Sequence, residues 1–545
     1  MKRLLAIAIV LAACDRKPAD SSAPGTTGGS GPPTTPAGSA TGSGSAGSGT
    51  PGTPGAPGAP GSDGSGGGAA GTAAADPCSK AHPEGGMTMP WITDDLPSAL
   101  ACARQRKVPV MVDLWAPWCH TCLSMNSTVF TDPSFKPDVD RFVFAALDTD
   151  KEVNAAAVAT FPLSAWPTFY IIGRDPTTRQ SDAVLARFVG SASLAQFHSF
   201  LETGLRAQQG GAAGADGKLL EAERQIAAKN YGGAEQNLAS ALLMAPADWP
   251  RRPDVMTSLV TNRAKRKDFA GCIELSDQMD QTGNAAAATD FLVTALGCAD
   301  QLQDDPAYTA KIKRLRTRAA ARLTKLVADT TAPLSVDDRS DALATLREVQ
   351  DQLGKPADAK ATAEKQRALL DDAAAKAPTP MAAMTYNWQR CDVYNYLSVP
   401  LDLVPALEKS AKDLPDEYDP RARLGWLYLK ADKLPEAARW TDEALRMVYG
   451  PRKARLIAQR AEIAAKQHDA AGEKRYRKDL VALWEAMPPG QASPEALDKA
   501  RTELAAIDPA AAGSGAGSAA GSATAKPGSS ELLVPPLTKE MKSQK

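Results

Sequence analysis

The residues best suited to chemistry are two cysteines three positions apart, Cys119 and Cys122. A Cys-x-x-Cys pair supports reversible thiol–disulfide exchange, in which the first thiolate attacks a disulfide and the second thiol resolves the mixed disulfide. The apolar run over residues 108–115 predicts a buried strand that delivers Cys119 to the start of a helix. The free N–H groups and the dipole at a helix N-terminus favour a thiolate there. The spacing therefore predicts a redox-active dithiol.

A static disulfide or half of a zinc site would also use two cysteines at this spacing. A structural zinc site needs four ligands. The sequence has only four histidines, and it contains neither a histidine pair at ligand spacing nor a second Cys-x-x-Cys. We therefore expect no metal and no cofactor, and we favour a redox role for Cys119 and Cys122.

The segment around the dithiol resembles the thioredoxin superfamily. Trp118 precedes the first cysteine, Asp113 lies six residues before it, and the segment Arg187-Phe-Val-Gly190 resembles the final strand of that family. The resemblance implies that Asp113 is a buried acid, with a raised pKa, that accepts the proton of the second cysteine. It also implies a cis-proline loop facing the dithiol and a substrate-binding groove formed by Trp118, Trp166, Pro167 and Thr168.

Within that superfamily, residues 88–206 resemble the C-terminal domain of the transmembrane thiol–disulfide interchange reductase and its free-standing relatives. The similar segments are Val110-Met-Val-Asp-Leu-Trp-Ala116 and Val129-Phe-Thr-Asp-Pro-Ser134. This likeness implies a protein-disulfide reductase. The usual Gly-Pro between the cysteines is replaced by His120-Thr121, a pair expected to tune the redox potential, which leaves the direction of electron flow open. The lysine that many thioredoxins keep near the buried acid aligns with Ala146. Trp166 is bulkier than the residue that usually precedes the cis-proline in this family.

The elements that must position these residues follow a strand–helix alternation. Helical spacing covers residues 97–107, and residues 194–201 have the pattern of a closing amphipathic helix. Short runs rich in β-branched and apolar residues predict four strands, at 108–115, 142–147, 168–172 and 185–189. Strands separated by helices indicate an α/β thioredoxin-like domain over residues 77–206.

The chain beyond a predicted linker at 207–216 has the composition of an all-α region. Residues 217–508 are rich in Ala, Leu, Lys, Glu and Arg and resemble tetratricopeptide repeats. Two units carry the spacing of that family well: Tyr231, Ala234, Leu238, Ala241 and Pro246 in the first, and Leu424, Gly425, Tyr428, Ala437 and Ala444 in the second. A generic helical bundle is the alternative. The resemblance implies a helical solenoid that binds a peptide or protein partner.

The remaining cysteines have the pattern of structural residues. Cys272 and Cys298 lie symmetrically about the turn signal Gly283-Asn284, so antiparallel helices would bring them together as a disulfide. Cys78 and Cys102 form a second candidate disulfide, at the start of the α/β domain. Cys391 is left over, and we expect it to be a buried small residue.

The N-terminus has the pattern of an export signal. Met1-Lys-Arg precedes ten apolar residues, which are too few to span a bilayer. The residues that end at Cys14 resemble the lipobox of bacterial lipoproteins, which implies a signal peptide over 1–13, lipidation of Cys14, and an anchor in a membrane facing the periplasm, weakly favoured as the inner one. Residues 14–76 and 509–545 are rich in Gly, Ser, Pro, Thr and Ala and predict a disordered tether and a disordered tail.

Together these features predict a membrane-tethered periplasmic thiol–disulfide oxidoreductase, with protein disulfides and a thiol donor or acceptor as partners. The alternative is a repeat-based scaffold lipoprotein in which the redox domain is accessory. The formal net charge of −1, without a basic run interleaved with aromatic residues, argues against nucleic acid as a partner. Membrane contact is expected only through the lipid.

Overall fold

The structure, a computed structural model, describes residues 76–508 except 164, 177, 280–282 and 284. The predicted signal peptide, the lipidation site Cys14, the tether up to residue 75 and the tail at 509–545 lie outside the described residues. Within the described part of the chain, no helix combines the length and apolar character that crossing a membrane would require.

A six-stranded mixed sheet forms the centre of the α/β domain. Its strand order is β1-β2-β4-β3-β5-β6. Strands β2, β4 and β3 are parallel, whereas β1, β5 and β6 pair antiparallel with their neighbours. The four predicted strands are present within two residues of their expected limits, and the N-terminal pair was not predicted. The strands are β1 (His82–Pro83), β2 (Pro90–Thr93), β3 (Val110–Trp115), β4 (Val143–Asp148), β5 (Thr168–Gly173) and β6 (Ala183–Val189).

Helices cover both faces of this sheet, which is why its central strands are apolar on both sides. The helices are α1 (Leu96–Arg106), α2 (His120–Thr128), α3 (Ala155–Thr160) and α4 (Leu194–Gln208), with 3-10 turns at Pro77–Lys80, Pro133–Val139 and Glu152–Asn154. Residues of α1 and α3 share one core with Val112 and Leu114. Residues of α2 and α4 share the other core with Met111 and a group of phenylalanines.

The rest of the described chain is helical and solenoid-like, so the predicted fold class is confirmed. One 3-10 turn, Pro400–Leu403, interrupts the series of helices. The helices are α5 (Gly214–Ala227), α6 (Tyr231–Met244), α7 (Arg252–Lys265), α8 (Phe269–Gln278), α9 (Ala286–Gln301), α10 (Thr309–Ala328), α11 (Val336–Gln352), α12 (Pro356–Lys376), α13 (Pro380–Met384), α14 (Asn387–Tyr396), α15 (Val404–Asp413), α16 (Asp419–Lys430), α17 (Leu434–Leu445), α18 (Gly450–Lys466), α19 (Ala470–Ala486) and α20 (Pro494–Ile507).

The segment between the two regions is shorter than the predicted linker at 207–216. Helix α4 continues to Gln208 and α5 begins at Gly214, which leaves only residues 209–213 between them. Asp216 explains the early start of α5, because it pairs with Arg206 and accepts a hydrogen bond from the Trp249 indole. These partners lie outside the segment itself, so its Gly- and Ala-rich composition gave no sign of them.

Disulfides join Cys78 to Cys102 and Cys272 to Cys298. The first attaches the N-terminal 3-10 turn to α1, and the second links the neighbouring helices α8 and α9. Cys391 is a free, buried thiol, and burial raises its pKa far above the ordinary cysteine range.

Candidate active site

The dithiol lies at the junction between the central strand and the helix that follows it. After β3 ends at Trp115, the amide of Cys119 donates to the carbonyl of Ala116, and Cys119 becomes the N-cap of α2. Its sulfur accepts a hydrogen bond from the backbone N–H of Cys122 at 3.1 Å. The two sulfurs are joined as a disulfide. Cys119 is 4% exposed and Cys122 is 1% exposed.

Asp113 lies on β3, on the sheet face that α2 covers. Side chains alternate along a strand, so Asp113 shares the face of Met111, which packs in one core with Met125 of α2. Its strand register pairs it with Ala146, the position that aligns with a lysine of many thioredoxins. Asp113 is buried, and its Oδ1 has no hydrogen-bond partner among the described residues. Burial raises the pKa of Asp113 to about 8.

The residues predicted to form the substrate groove cluster beside the dithiol. The Trp166–Pro167 peptide bond is cis. The ring of Trp166 meets that of Trp118 edge to face, with centroids 5.0 Å apart, and both indoles pack against Cys119 and Cys122. The indole N–H of Trp118 donates to Asp150 at 2.7 Å, and that of Trp166 donates to Thr149 at 2.8 Å. Thr168 is buried at the start of β5.

Comparison with known proteins identifies this part of the chain. Residues 91–172 match the family model described as thioredoxin-like. These residues form a thioredoxin-like domain. A curated relative, thioredoxin C-3 of Corynebacterium nephridii, is 32% identical over 103 residues, and the match covers 19% of this chain and 63% of that relative's length.

Two solved structures resemble the chain more distantly. A tetratricopeptide repeat protein from Parabacteroides merdae covers 54% of this chain and 98% of its own, with 12% identity and a TM-score of 0.35. A chain of the APC/C hetero-tetramer Cut9-Hcn1 also matches. The match covers 57% of this chain and 71% of that chain, with 11% identity and a TM-score of 0.23.

Both residues that flank Cys119 contact the helical region. The guanidinium of Arg452, in α18, lies 4.5 Å from the centroid of the Trp118 ring. On the other side, Nδ1 of His120 lies 2.8 Å from Oδ1 of Asp337, in α11. Thr121 lies beside His120, with its hydroxyl 3.4 Å from the same Nδ1. The helical region therefore covers the face of the thioredoxin-like domain that carries the dithiol.

The loop after β4 forms a further part of this interface. The Tyr449 hydroxyl donates to Asp148, and the Gln491 amide donates to the carbonyls of Thr149 and Lys151 at 2.8 and 3.0 Å. Burial, together with the nearby Asp148 carboxylate, raises the pKa of Asp150 to about 7. Buried polar groups with partners on both sides favour one fixed arrangement of the two regions.

A glycine permits the close approach at this loop. Gly450 adopts a φ of +58°, and a β-carbon there would collide with the backbone carbonyl of Asp150. No larger residue fits without moving the backbone of one region away from the other.

The first helices of the helical region contact strand β6, at one edge of the sheet. The Glu223 carboxylate, in α5, accepts the backbone N–H of Arg187 at 2.9 Å and pairs with Arg251 at 3.2 Å. Arg251 also donates to the carbonyl of Arg187 at 2.8 Å. Burial raises the pKa of Glu223 to about 7. Early and late helices thus both contact the thioredoxin-like domain, so the helical region curves around it.

Sequence reasoning missed the residues that the helical region contributes to the site, chiefly Asp337, Tyr449 and Arg452. Each lies far from Cys119 in the sequence, and none belongs to a recognisable motif. Asp337 and Asp341 are acids one helical turn apart, but charged residues are common throughout residues 217–508, so this spacing does not distinguish them.

Proposed function

We propose that this protein is a thiol–disulfide oxidoreductase that reduces disulfides through Cys119 and Cys122. The observation that carries the proposal is the N-cap position of Cys119, whose sulfur accepts the Cys122 N–H. A hydrogen bond from a backbone amide and the positive end of the helix dipole both stabilise a thiolate. Such a thiolate is the nucleophile of thiol–disulfide exchange.

The reaction transfers two electrons from the dithiol to the substrate. The Cys119 thiolate attacks one sulfur of a substrate disulfide, forms a mixed disulfide and releases the other substrate sulfur, which takes up a proton and leaves as a thiol. Cys122 then loses its proton and attacks Cys119, which forms the intramolecular disulfide and releases the second substrate thiol. A thiol donor must afterwards return the dithiol to its reduced form.

Asp113 is the proposed acceptor for the proton of Cys122. With its pKa raised to about 8, Asp113 is mostly protonated at neutral pH. The ionised fraction is a stronger base than an ordinary aspartate carboxylate. It lies on the face of the sheet that α2 covers, which is the helix that carries Cys122. Its unpaired Oδ1 leaves a carboxylate oxygen available for the proton.

The covering helices obstruct a large substrate more than a small one. Trp118 and His120 flank Cys119 and both contact the helical region, so a small disulfide needs less displacement than a protein disulfide. We propose protein disulfides as the physiological substrates, reached when the helical region shifts away from Trp118. The repeats would then control which proteins approach the dithiol.

The test uses the full chain with its dithiol reduced, mixed with oxidised glutathione. We expect stoichiometric release of reduced glutathione and formation of the Cys119–Cys122 disulfide. The Cys122→Ser variant should accumulate a glutathione adduct on Cys119, visible by mass spectrometry, and Cys119→Ser should lose the reaction. Cys391→Ser is the matched control, because it removes a buried thiol elsewhere. A reaction that persists in Cys119→Ser would contradict the proposal.

We also propose that the protein is exported and anchored through a lipid on Cys14. The apolar segment before Cys14 supports this, as do the Cys78–Cys102 and Cys272–Cys298 disulfides, because structural disulfides persist in oxidising compartments. Labelling cells with a palmitate analogue should mark the wild-type protein in the membrane fraction. Cys14→Ser should abolish the label, and a label that survives this change would refute the anchor.

The scaffold alternative is supported by the extent of the helical region, which makes up most of the folded chain. In that case the interface with the thioredoxin-like domain would serve mainly to build the scaffold. Cells that express the Cys119→Ser/Cys122→Ser variant distinguish the two functions. A scaffold predicts full complementation of a deletion strain, whereas an oxidoreductase predicts none.

A further inference from the structure

Three potential metal ligands meet between the dithiol helix and the repeats. Asp337 and Asp341 are one turn apart on α11, so both project from the same face of that helix. His120 approaches from α2, and its Nδ1 lies 2.8 Å from Oδ1 of Asp337. One ligand atom from each of the three residues lies within 4.8 Å of the other two. We call these three residues the His–Asp cluster.

One oxygen in the His–Asp cluster is buried without a partner. Asp337 is 1% exposed, and its Oδ2 has no hydrogen-bond partner among the described residues. A buried carboxylate oxygen without a partner destabilises the fold, because it has lost its hydrogen bonds to water and gained none in return. A cation is the partner that would satisfy this oxygen together with its neighbours.

The surroundings of the cluster have a surplus of negative charge. Asp338 is buried beside Asp337, and Asp290, which is exposed, lies close enough to Asp338 and Asp341 to add repulsion. Among the described residues, no lysine or arginine forms an ion pair with the four aspartates of this area. His120 is the one basic side chain that does, through Asp337. The four aspartates are Asp290, Asp337, Asp338 and Asp341. Asp337 and Asp338 are buried and Asp341 is partly buried. A single imidazole cannot neutralise three such carboxylates, whereas a divalent cation reduces their repulsion further.

A further residue holds the ligands in place. The Gln389 amide, from α14, donates to Oδ1 of Asp341 at 2.8 Å and to the backbone carbonyl of Asp337 at 3.3 Å. Hydrogen bonds of this kind orient the carboxylates that ligate metals.

We propose that His120, Asp337 and Asp341 bind a divalent first-row transition-metal ion, for which Zn²⁺ is the probe. One imidazole nitrogen and two carboxylate oxygens, each about 2.0–2.2 Å from the ion, form a three-ligand site with a fourth position open to water. In a tetrahedral site, ligand atoms at that distance lie about 3.3–3.6 Å apart, so the 2.8 Å contact between His120 and Asp337 opens and any wider pair closes when the ion binds. The proposal goes beyond the redox function, and the ion would join a repeat helix to the helix that carries the dithiol.

The test is calorimetric titration of the full chain with Zn²⁺, with the Cys119–Cys122 disulfide intact so that thiolates contribute nothing. We expect one ion per chain, and binding weakened at least tenfold in His120→Gln and in Asp341→Asn. His198→Gln is the matched control, because His198 is the other histidine beside a carboxylate in this domain, and it should bind as the wild type does. Mn²⁺ should bind more weakly than Zn²⁺.

Absence of a one-to-one Zn²⁺ site, or binding unchanged in both cluster variants, would overturn the proposal. Asp341 is only partly buried, and the matched circular dichroism spectrum of its variant checks that the fold is kept. As a second measurement, Zn²⁺ should raise the unfolding temperature of the wild type and leave that of Asp341→Asn unchanged; equal increases would place the ion elsewhere. The disulfide form of the protein is used throughout. Failure to bind Zn²⁺ therefore leaves the proposed redox function intact, and loss of redox activity leaves the proposed metal site intact.

Discussion

The guanidinium of Arg452 lies 4.5 Å from the ring centroid of Trp118, the residue immediately before the first cysteine of the dithiol. Arg452 belongs to α18, near the C-terminal end of the described chain, and Trp118 belongs to the turn that leads into α2. Burial lowers the pKa of Arg452, and the aromatic face offsets part of the cost of burying the cation. The contact places a late helix of the helical region beside the dithiol.

Substituting Gly450 should expose the dithiol without altering it. In Gly450→Ala, the new β-carbon collides with the Asp150 carbonyl, so α18 must move away from the loop after β4. After reduction, Cys119 should react with a polyethylene-glycol maleimide about tenfold or more faster than in the wild type, a change that corresponds to about 1.4 kcal/mol. The rate with small iodoacetamide should change less.

The matched control for this prediction is Gly232→Ala. Gly232 lies in α6, and a β-carbon there meets nothing within 4 Å. Its labelling rates should equal those of the wild type. Equal rates for Gly450→Ala and the wild type would show that the helical region does not limit access to Cys119.

Replacing Asp113 by Asn should stabilise the fold more at high pH than at low pH. The pKa of Asp113 is about 8 when folded and near 4 when unfolded, so the folded state binds the proton more tightly and wild-type stability falls as pH rises from about 4 to 8. In denaturant unfolding, the free energy of unfolding of Asp113→Asn should therefore rise relative to that of the wild type between pH 5 and pH 8, by up to about 4 kcal/mol. A constant difference across this range would contradict the raised pKa of Asp113.

The same variant should slow the resolving step of the redox reaction. Loss of a proton acceptor typically lowers a rate by about a hundredfold or more. Stopped-flow measurement should show the mixed disulfide at Cys119 forming at the wild-type rate and then decaying slowly. Unchanged decay would remove Asp113 from the mechanism.

Removing Arg251 should destabilise the protein strongly. Its buried guanidinium pairs with Glu223 and Asp254 and donates to the Arg187 carbonyl. Arg251→Met leaves buried carboxylates without a cation, which costs about 3–5 kcal/mol in the free energy of unfolding. Arg501→Met is the matched control, because it breaks the exposed pair with Glu485 and should cost at most about 1 kcal/mol. Similar losses in the two variants would show that the buried Arg251 contributes no more to stability than an exposed ion pair does.

Removing the disulfide between Cys272 and Cys298 should lower stability but not redox chemistry. The bridge closes a loop between residues separated by 26 positions. Restricting a loop of this size in the unfolded chain contributes about 3 kcal/mol. The Cys272→Ser/Cys298→Ser variant should unfold at lower denaturant concentration, with glutathione reduction at the wild-type rate. A slower redox reaction would indicate that this bridge also takes part in electron transfer.

The α/β domain could be predicted because its signals are local. The spacing of Cys119 and Cys122, the apolar strand before them and the Trp166-Pro167-Thr168 segment each occupy a short stretch of sequence. The structure places these segments together, with Asp113 opposite Ala146 as the family resemblance implied. The helical region was predicted from its composition, rich in Ala, Leu, Lys, Glu and Arg, and from residues at the spacing of tetratricopeptide repeats.

The arrangement of the two regions could not be predicted in this way. The contacts between His120 and Asp337, and between Asp148 and Tyr449, join residues far apart in the sequence. Each residue alone has the appearance of an ordinary polar side chain on a helix or loop. Their partners become apparent only when the curvature of the helical region is known, and that curvature arises from many small packing contacts rather than from a motif.

The equilibrium reduction potential of Cys119–Cys122 in the full chain tests the proposed redox function most directly. Glutathione or dithiothreitol buffers would set the potential, and acid trapping followed by mass spectrometry would count reduced cysteines. For a working dithiol we expect a reversible two-electron transition near about −270 mV, as in thioredoxin, that is absent in Cys119→Ser. A disulfide that stays oxidised well below about −300 mV behaves as a structural bridge, and that result would contradict the assignment of this pair as a working dithiol.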